Sequence, residues 1–261
     1  MREAEHGLRA TNGPGSNATL IVQITDCHLP ANQQQAYRGI NPHENLKTLL
    51  KKIKVLKPDL LLATGDLSED GSRISYKALR GYFDPLGIPV LALPGNHDDA
   101  SLLAETFPGS PVNTIKTSKH GPWRIIRLNS CLPGKPEGRL STQALAELER
   151  FISNHDQYPL LICLHHQPVT IGSPWIDRYR LLDSEALLQL IDQYPNVKGV
   201  IWGHIHQVFE NDRNGTLMLG GPSSAINALP GAQKFTADKM GPACRWLELR
   251  DDKTLLSGII Q

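Results

Sequence analysis

Five short apolar segments, each followed at once by Asp, Asn or His, constrain the fold of this chain more than any other feature of its sequence. The segments are residues 20–24 before Asp26 and His28, 60–64 before Asp66, 89–93 before Asn96 and His97, 160–164 before His165 and His166, and 197–202 before His204 and His206. Apolar runs of this length are typical of strands that are buried on both faces of a sheet. The sequence therefore predicts strands whose polar ends are available for chemistry.

Helical patterns lie between these strands. Asn41 fits the N-cap position and Pro42 the first turn of a helix that Lys57-Pro58 ends. Apolar spacing predicts further helices over residues 74–83, 141–152 and 184–194. Alternating strands and helices indicate an α/β fold.

The part of the chain beyond residue 208 is rich in β-strand patterns. Strands are predicted near residues 216–219, 245–249 and 255–260, and Asn214-Gly215 has the composition of a hairpin turn. No composition break marks a domain boundary. We therefore predict a single domain over residues 20–261, after a frayed tail at residues 1–19.

Charge and cysteine content exclude several classes of protein. Lys and Arg number 27 against 26 Asp and Glu, so no basic surplus favours binding to nucleic acid. The four cysteines lie far apart without a C-x-x-C pair, which disfavours a zinc ribbon or a disulfide framework. No apolar run approaches the roughly 20 residues that cross a bilayer, and the first 19 residues lack the apolar stretch of a secretory signal. We expect a cytoplasmic location and no membrane partner.

The polar residues at the strand ends have the composition of metal ligands. Ligands collect at the carboxyl ends of strands in α/β sheets, so distant loops can meet in one crevice. Asp26 and His28 stand two residues apart, and in extended backbone this spacing points both side chains to one face. Gly65 and Gly95 permit tight turns close to a metal or a phosphate. A mixed set of imidazole, carboxylate and amide ligands indicates two or more sites for borderline transition metals.

Taken in order, these motifs resemble the five-block signature of the calcineurin-like metallophosphoesterases. Each block alone is more often an ordinary turn, and the inference depends on finding all of them in sequence. The blocks are Asp26-x-His28, Gly65-Asp66, Gly95-Asn96-His97-Asp98, His165-His166-x-Pro168 and Gly203-His204-x-His206. The residues next to Asp26, Asp66 and His204, together with Pro174-Trp175-Ile176-Asp177, are similar to those of bacterial class III cyclic-nucleotide phosphodiesterases.

The resemblance implies a fold and a site. The expected fold is a two-sheet β-sandwich core flanked by helices, in four αββα layers. One metal ion would be bound by Asp26, His28 and His206, the other by Asn96, His165 and His204, and Asp66 would bridge the two. His165 is assigned as a ligand because it directly follows its strand, which leaves His166 to line the pocket; the reverse order stays open. Substrate contacts are expected from His28, Asn96, His97, His166 and His206, with His97 as the catalytic residue and Asp98 orienting its surroundings.

The implied cofactors are two divalent or mixed-valence transition-metal ions, foremost iron or manganese, with zinc or cobalt as alternatives. The implied reaction is hydrolysis of a 3′,5′-cyclic nucleotide, cyclic AMP, to the 5′-monophosphate by a metal-bound hydroxide. Glycerophosphodiesters or 2′,3′-cyclic nucleotides are alternative substrates, and a non-catalytic interaction module on the same fold is a further alternative. A protein phosphatase is disfavoured because Leu67-Ser68-Glu69 follows Asp66 without the arginine of that branch. The sequence leaves a monomer and a homodimer equally open.

Residues outside the blocks receive simpler interpretations. Six of the ten histidines lie in the motifs, and we expect the other four, His6, His43, His120 and His155, at the surface. Cys27 lies between two predicted ligands and should face the core. Two loops, 31–39 and 222–241, could shape either the pocket or an oligomer interface.

Overall fold

A computed structural model describes residues 18–261 as two large β-sheets with helices packed against their outer faces, and a small third sheet of two strands. The strands are Ala18–Ile24 (β1), Leu60–Thr64 (β2), Val90–Leu93 (β3), Lys116–His120 (β4), Trp123–Arg127 (β5), Gly138–Arg139 (β6), Leu160–Cys163 (β7), Leu181–Leu182 (β8), Val197–Trp202 (β9), Phe209–Arg213 (β10), Thr216–Gly220 (β11), Cys244–Arg250 (β12) and Leu255–Ile260 (β13). The helices are Pro42–Leu56 (α1), Arg73–Phe83 (α2), Ala100–Thr106 (α3), Thr142–Ser153 (α4), Pro174–Asp177 (α5) and Ser184–Gln193 (α6), with a 3₁₀ turn at Asp84–Leu86.

Both large sheets mix parallel and antiparallel strands. The first sheet has the order β13-β12-β1-β2-β3, in which β1, β2 and β3 are parallel. The second has the order β10-β11-β9-β7-β5-β4, in which β11, β9, β7 and β5 are parallel. The antiparallel strand β12 pairs with β1, so the carboxyl-terminal part of the chain completes the sheet that its amino-terminal part begins.

Three apolar clusters define the layers. One cluster lies between the two sheets and joins Ile21 and Leu62 of the first sheet to Ile125 and Ile201 of the second. A second cluster packs α1, α2 and α3 against the outer face of the first sheet, and a third packs α4 and α6 against the outer face of the second. Burying each sheet on both faces explains why its parallel strands read as continuous apolar runs. The predicted four-layer αββα sandwich is confirmed.

The local signals of the sequence correspond to real elements in most places. Asn41 caps α1 by accepting hydrogen bonds from the backbone N–H groups of His43 and Glu44. Asn214 and Gly215 both have positive φ in the turn between β10 and β11, as a type I′ hairpin requires. Residues 1–17 of the predicted tail lie outside the described residues, whereas Ala18 and Thr19 already belong to β1.

The prediction of a surface position for His43 is wrong. The ring is buried, with its Nε2 donating to the carbonyl oxygen of Pro30 and its Nδ1 paired with the hydroxyl of Tyr82. His120 and His155 are partly buried, and His6 lies outside the described residues. Cys27 is fully buried against the first sheet, as predicted. None of the helices over residues 18–261 combines the length and the apolar character needed to cross a membrane.

Candidate metal centre

The five strand ends bring the predicted site residues to one edge of the sandwich. Residues that follow β1, β2 and β3 in the first sheet meet residues that follow β7 and β9 in the second. Four overlapping groups have their ligand atoms within 4.8 Å of one another: Asp26, His28 and His206; Asp26, Asp66 and His165; His165, His166 and His204; and His28, Glu69 and His97. These groups share members, so they form one continuous cluster.

The first group places two imidazole nitrogens face to face. Nε2 of His28 lies 3.1 Å from Nε2 of His206, which is itself 3.4 Å from Oδ1 of Asp26. Nδ1 of His206 donates to the carbonyl oxygen of Ile226 at 2.7 Å, and Nδ1 of His28 lies 2.7 Å from Oε2 of Glu69. Because Nδ1 carries the proton in both rings, the two facing Nε2 atoms present lone pairs, an arrangement that a shared cation stabilises.

Three buried atoms at the strand ends lack a hydrogen-bond partner. Within residues 18–261, Oδ1 of Asn96 and Nε2 of His165 and of His166 are in this state. Such buried polar groups are costly unless an ion or a water binds them. Their orphaned state and their mixed nitrogen and oxygen chemistry fit a transition-metal site.

His165 and His166 differ in what they contact. Nε2 of His165 lies 3.3 Å from Oδ2 of Asp66, and its Nδ1 donates to the carbonyl oxygen of Thr64 at 2.8 Å. His166 is held by Ser130, whose Oγ lies 2.8 Å from its Nδ1, and its ring packs beside that of His204. Only His165 of this pair belongs to a group with the Asp66 carboxylate, which supports the assignment of His165 over His166.

His204 uses its ring nitrogens in the opposite sense. Its Nε2 donates to the carbonyl oxygen of Tyr179 at 3.1 Å, which leaves Nδ1 for the cluster. Its backbone N–H donates to both carboxylate oxygens of Asp26, at 3.0 and 3.1 Å. Loops from the two sheets are therefore tied together at the site.

Carboxylates and imidazoles in the cluster change one another's pKa values. Burial acts to raise the pKa of Asp66, but the charge of His165 holds that pKa well below its usual range. Burial acts to lower the pKa of His165, but the carboxylate of Asp66 raises it to about 9. The pKa of Asp26 is likewise lowered, since His206 outweighs the effect of burial. Both carboxylates are thus charged, and a cation that binds His165 replaces its proton.

The imidazoles of His166 and His204 are held neutral. Burial, and after it the neighbouring His165, lowers the pKa of His166 to about 3. Burial, reinforced by His166 and His165, also holds the pKa of His204 well below its usual value. Neutral imidazole is the form that binds metals.

The backbone at the site has an unusual conformation, which contradicts one prediction made from the sequence. Five of the predicted ligands have positive φ: Asp26 (52°), His28 (45°), Asp66 (48°), His204 (67°) and His206 (49°). Non-glycine residues rarely adopt this conformation, and they do so mainly where function requires it. The expectation that Asp26 and His28 point together from extended backbone is therefore wrong, because left-handed turns bring these side chains together.

Gly65 and Gly95 are required by close packing of the loops. Gly65 has φ of 93°, and a Cβ atom there would collide with the ring of His165. A Cβ atom on Gly95 would collide with the carboxylate of Asp66. The two glycines therefore allow the loops after β2 and β3 to close around that carboxylate.

Asp98 fixes these same loops. Its carboxylate accepts hydrogen bonds from the backbone N–H groups of Gly95, Leu67 and Ser68 and from the hydroxyl of Tyr76. Burial and the nearby Asp66 raise the pKa of Asp98 to about 6. Asp98 thus holds the loop after β2 and the loop after β3 together.

His97 stands at the entrance of the cluster. Its side chain is 37% exposed, and its backbone N–H donates to Oδ1 of Asp66 at 2.9 Å. The ring lies edge-on to His28, with centroids 4.8 Å apart. The ring therefore lies between the buried cluster and the solvent.

Sequence reasoning missed Glu69, whose carboxylate joins two predicted site histidines. It lies 2.7 Å from Nδ1 of His28 and 3.3 Å from Nδ1 of His97. The signal that could have revealed it is its position three residues after Asp66. It also missed Tyr37 and Phe235, which bring the loops 31–39 and 222–241 to two predicted ligands: Tyr37 stacks on His28, and the ring centroid of Phe235 lies 6.2 Å from that of His206.

Comparison with known proteins agrees with this geometry. Residues 19–208 match the family described as calcineurin-like phosphoesterase. A protein of Pseudomonas aeruginosa named 3′,5′-cyclic adenosine monophosphate phosphodiesterase CpdA is 37% identical over 96% of this chain and 93% of its own length. A 3′,5′-cyclic-nucleotide phosphodiesterase of Nostoc is 39% identical over 90% of this chain and 89% of its own.

Solved structures share the fold at much lower identity. A dimetal phosphatase from Danio rerio superimposes with a TM-score of 0.68 at 15% identity, covering 92% of this chain and 98% of its own. The family match spans most of the chain and contains all the predicted ligands, and the family uses a binuclear metal centre. The chain belongs to the calcineurin-like phosphoesterase family.

Proposed function

We propose that the protein is a metal-dependent phosphodiesterase that hydrolyses cyclic AMP to the nucleoside 5′-monophosphate. The observation that carries the proposal is near full-length similarity to proteins named as cyclic AMP phosphodiesterases, at 37% identity in one case and 34% in the relative from Escherichia coli. The buried ligand clusters support it, because they supply the atoms that a binuclear centre needs.

The two metal ions would be held in the sets implied by the resemblance. Asp26, His28 and His206 would bind one ion, and Asn96, His165 and His204 the other, with Asp66 between them. The ions supply Lewis acidity, a lowered pKa for water and neutralisation of the phosphodiester charge. We propose iron or manganese as the native pair, because the mixed imidazole and carboxylate set suits borderline metals.

The residues of the chain would act on the phosphodiester from several sides. Hydrolysis adds water across the bond between phosphorus and O3′ of the ribose, so O3′ must gain a proton as that bond breaks. His97 lies at the entrance with an exposed ring, and we assign it to donate this proton or to stabilise the charge on O3′. His166, held by Ser130, would line the pocket beside the phosphate. His28, Asn96 and His206 would contact the phosphoryl oxygens.

The four cysteines are free thiols, which agrees with the cytoplasmic location that we propose. The substrate is a small molecule whose charge is met locally, in keeping with a formal net charge of +1.

The test is a comparison of kcat/KM for cyclic AMP, 2′,3′-cyclic AMP and a glycerophosphodiester on protein reconstituted with manganese or iron. We expect cyclic AMP to have the highest value and 5′-AMP to be the product. A value for cyclic AMP below both of the others would refute the proposed substrate, while hydrolysis of the others would keep the phosphodiesterase chemistry.

The matched control is Asp192→Asn. Asp192 pairs with Arg213 near the surface and belongs to no metal-ligand group, so its substitution should leave kcat/KM unchanged.

A further inference from the structure

We propose that Arg38, Trp175 and Phe235 form the subsite that binds the nucleobase of the substrate. The inference rests on the proposed function and deepens it, because the metal centre accounts only for the phosphodiester. All three residues lie on loops or on the short helix α5, and none of them is a predicted metal ligand.

Trp175 and Phe235 form a corner of perpendicular rings. Their centroids are 5.3 Å apart and their planes meet at 90°. The corner adjoins the metal centre, since the His206 ring is 6.4 Å from Trp175 and 6.2 Å from Phe235. One ribose separates phosphorus from the base in a nucleotide. A base can therefore reach this corner while the phosphate occupies the cluster.

Arg38 extends the corner with a third planar group. Its guanidinium carbon lies 3.9 Å from the centroid of Phe235 and 5.4 Å from that of Tyr37. The side chain is exposed, and none of the ion pairs found among residues 18–261 includes it. An exposed guanidinium stacked on a ring offers its other face to a planar ligand.

A tight turn holds Arg38 in this position. Tyr37 and Ile40 exchange two backbone hydrogen bonds, of 2.9 and 3.0 Å, and Arg38 and Gly39 between them both have positive φ. This is the geometry of a type I′ turn, in which the first central position is usually Asn, Asp or Gly. An arginine with φ of 47° persists only where its surroundings hold it, and such residues cluster at ligand sites.

The chemistry of the corner matches a nucleobase. Every nucleobase has a flat π-face, so any base can stack on an aromatic ring or on a guanidinium plane. The indole Nε1–H of Trp175 is buried without an acceptor among the residues that the structure describes.

The test measures binding instead of turnover. Titration calorimetry on the metal-loaded protein compares AMP with ribose 5-phosphate, which carries the same phosphate and sugar without the base. The variants are Phe235→Leu, Trp175→Leu and Arg38→Ala. The matched controls are Tyr158→Leu and Arg124→Ala, because the guanidinium of Arg124 lies over the Tyr158 ring at the same 3.9 Å but outside the site.

We expect the wild type to bind AMP more tightly than ribose 5-phosphate. Stacking is worth about 1–3 kcal/mol per base, so Phe235→Leu and Trp175→Leu should weaken AMP binding by about 5- to 150-fold. Binding of ribose 5-phosphate should change less than about twofold, a change too small to reflect a lost stacking contact. The two controls should bind both ligands as the wild type does.

Three results would overturn the inference. One is equal affinity of the wild type for AMP and ribose 5-phosphate. The second is equal weakening of both ligands in the Phe235 and Trp175 variants, which would indicate a structural role. The third, specific to Arg38, is equal weakening of both ligands in Arg38→Ala, which would assign that residue to the phosphate.

Failure of the proposed function has a different signature. It would appear as wild-type protein that hydrolyses methyl p-nitrophenyl phosphate but not cyclic AMP. The ratio of AMP to ribose 5-phosphate affinity does not depend on that outcome.

Discussion

Replacing Glu69 should weaken metal binding at the His28 position although Glu69 is not itself a predicted ligand. Its carboxylate accepts the Nδ1–H of His28 at 2.7 Å, which fixes the tautomer and turns Nε2 towards His206. Partners of this kind orient metal-binding imidazoles and raise their basicity. Glu69→Ala removes the acceptor, whereas Glu69→Gln keeps a neutral one.

The size of the effect follows from the contact and its exposure. A hydrogen bond to a charged group contributes about 1.5–3 kcal/mol. Because the Glu69 side chain is 27% exposed, solvent screens this bond and its contribution lies at the lower end of that range. Since each 1.4 kcal/mol is about a factor of ten, we expect Glu69→Ala to weaken binding of one metal ion about tenfold. Glu69→Gln should have a smaller effect because the amide oxygen still accepts the hydrogen bond from the Nδ1–H group of His28.

The assay is the metal-to-protein ratio after equilibration with increasing chelator. Wild type and variants start from the fully loaded protein, and the metal content is read by atomic emission. Glu44→Ala is the matched control, because Glu44 is 65% exposed and pairs with Lys47 at 2.9 Å on the surface of α1. That variant should follow the wild-type curve.

Identical chelator curves for Glu69→Ala and Glu44→Ala would refute the reasoning. They would mean that stacking on Tyr37, at 4.2 Å between centroids, orients His28 without help from the carboxylate. A loss of both metal ions in parallel would also contradict it, because among the predicted ligands Glu69 contacts His28 and none of Asn96, His165 and His204.

Three further predictions concern other parts of the molecule. Asp66→Asn should lose metal and activity together, because the shared carboxylate faces both His28 and His165; full activity at reduced metal content would contradict a binuclear site. His97→Ala should keep its metal while kcat falls about 100-fold, and an unchanged kcat would remove its catalytic role. Ile125→Ala, buried between the sheets, should lower the free energy of unfolding by about 2–5 kcal/mol, whereas Ile74→Ala, 64% exposed on α2, should change it by less than about 0.5 kcal/mol; equal effects in denaturant titration would contradict the two-sheet core.

Elements with a local signal could be predicted from the sequence, and elements stabilised by distant partners could not. The helix α1 carries its own cap, Asn41, and a regular apolar face. The strand β4 has an exposed polar sequence, and it exists because it pairs with β5. The short helix α3 was not predicted, although the sequence carries a local signal for it. That signal is the cap Asp99, which accepts hydrogen bonds from the backbone N–H groups of Ser101 and Leu102.

Burial of a polar residue likewise could not be predicted where its hydrogen-bond partners are distant in the sequence. His43 has the sequence context of a helix start, which favours exposure, yet its two partners are Pro30 and Tyr82, 13 and 39 residues away. The apolar interior accepts the ring because both of its nitrogens are hydrogen-bonded there. Nothing adjacent to His43 in the sequence indicates either partner.

The predicted ligands could be found from residue type, but most groups that orient them could not, because those groups are backbone carbonyls. The oxygen of Thr64 accepts from His165, that of Tyr179 from His204 and that of Ile226 from His206. Every residue carries a carbonyl group, so no side chain marks these three positions. Of the four predicted ligand imidazoles, only His28 is oriented by a side chain, that of Glu69. Substitution can therefore change ligand orientation selectively at His28, whereas at the other three it would require a change in the course of the backbone.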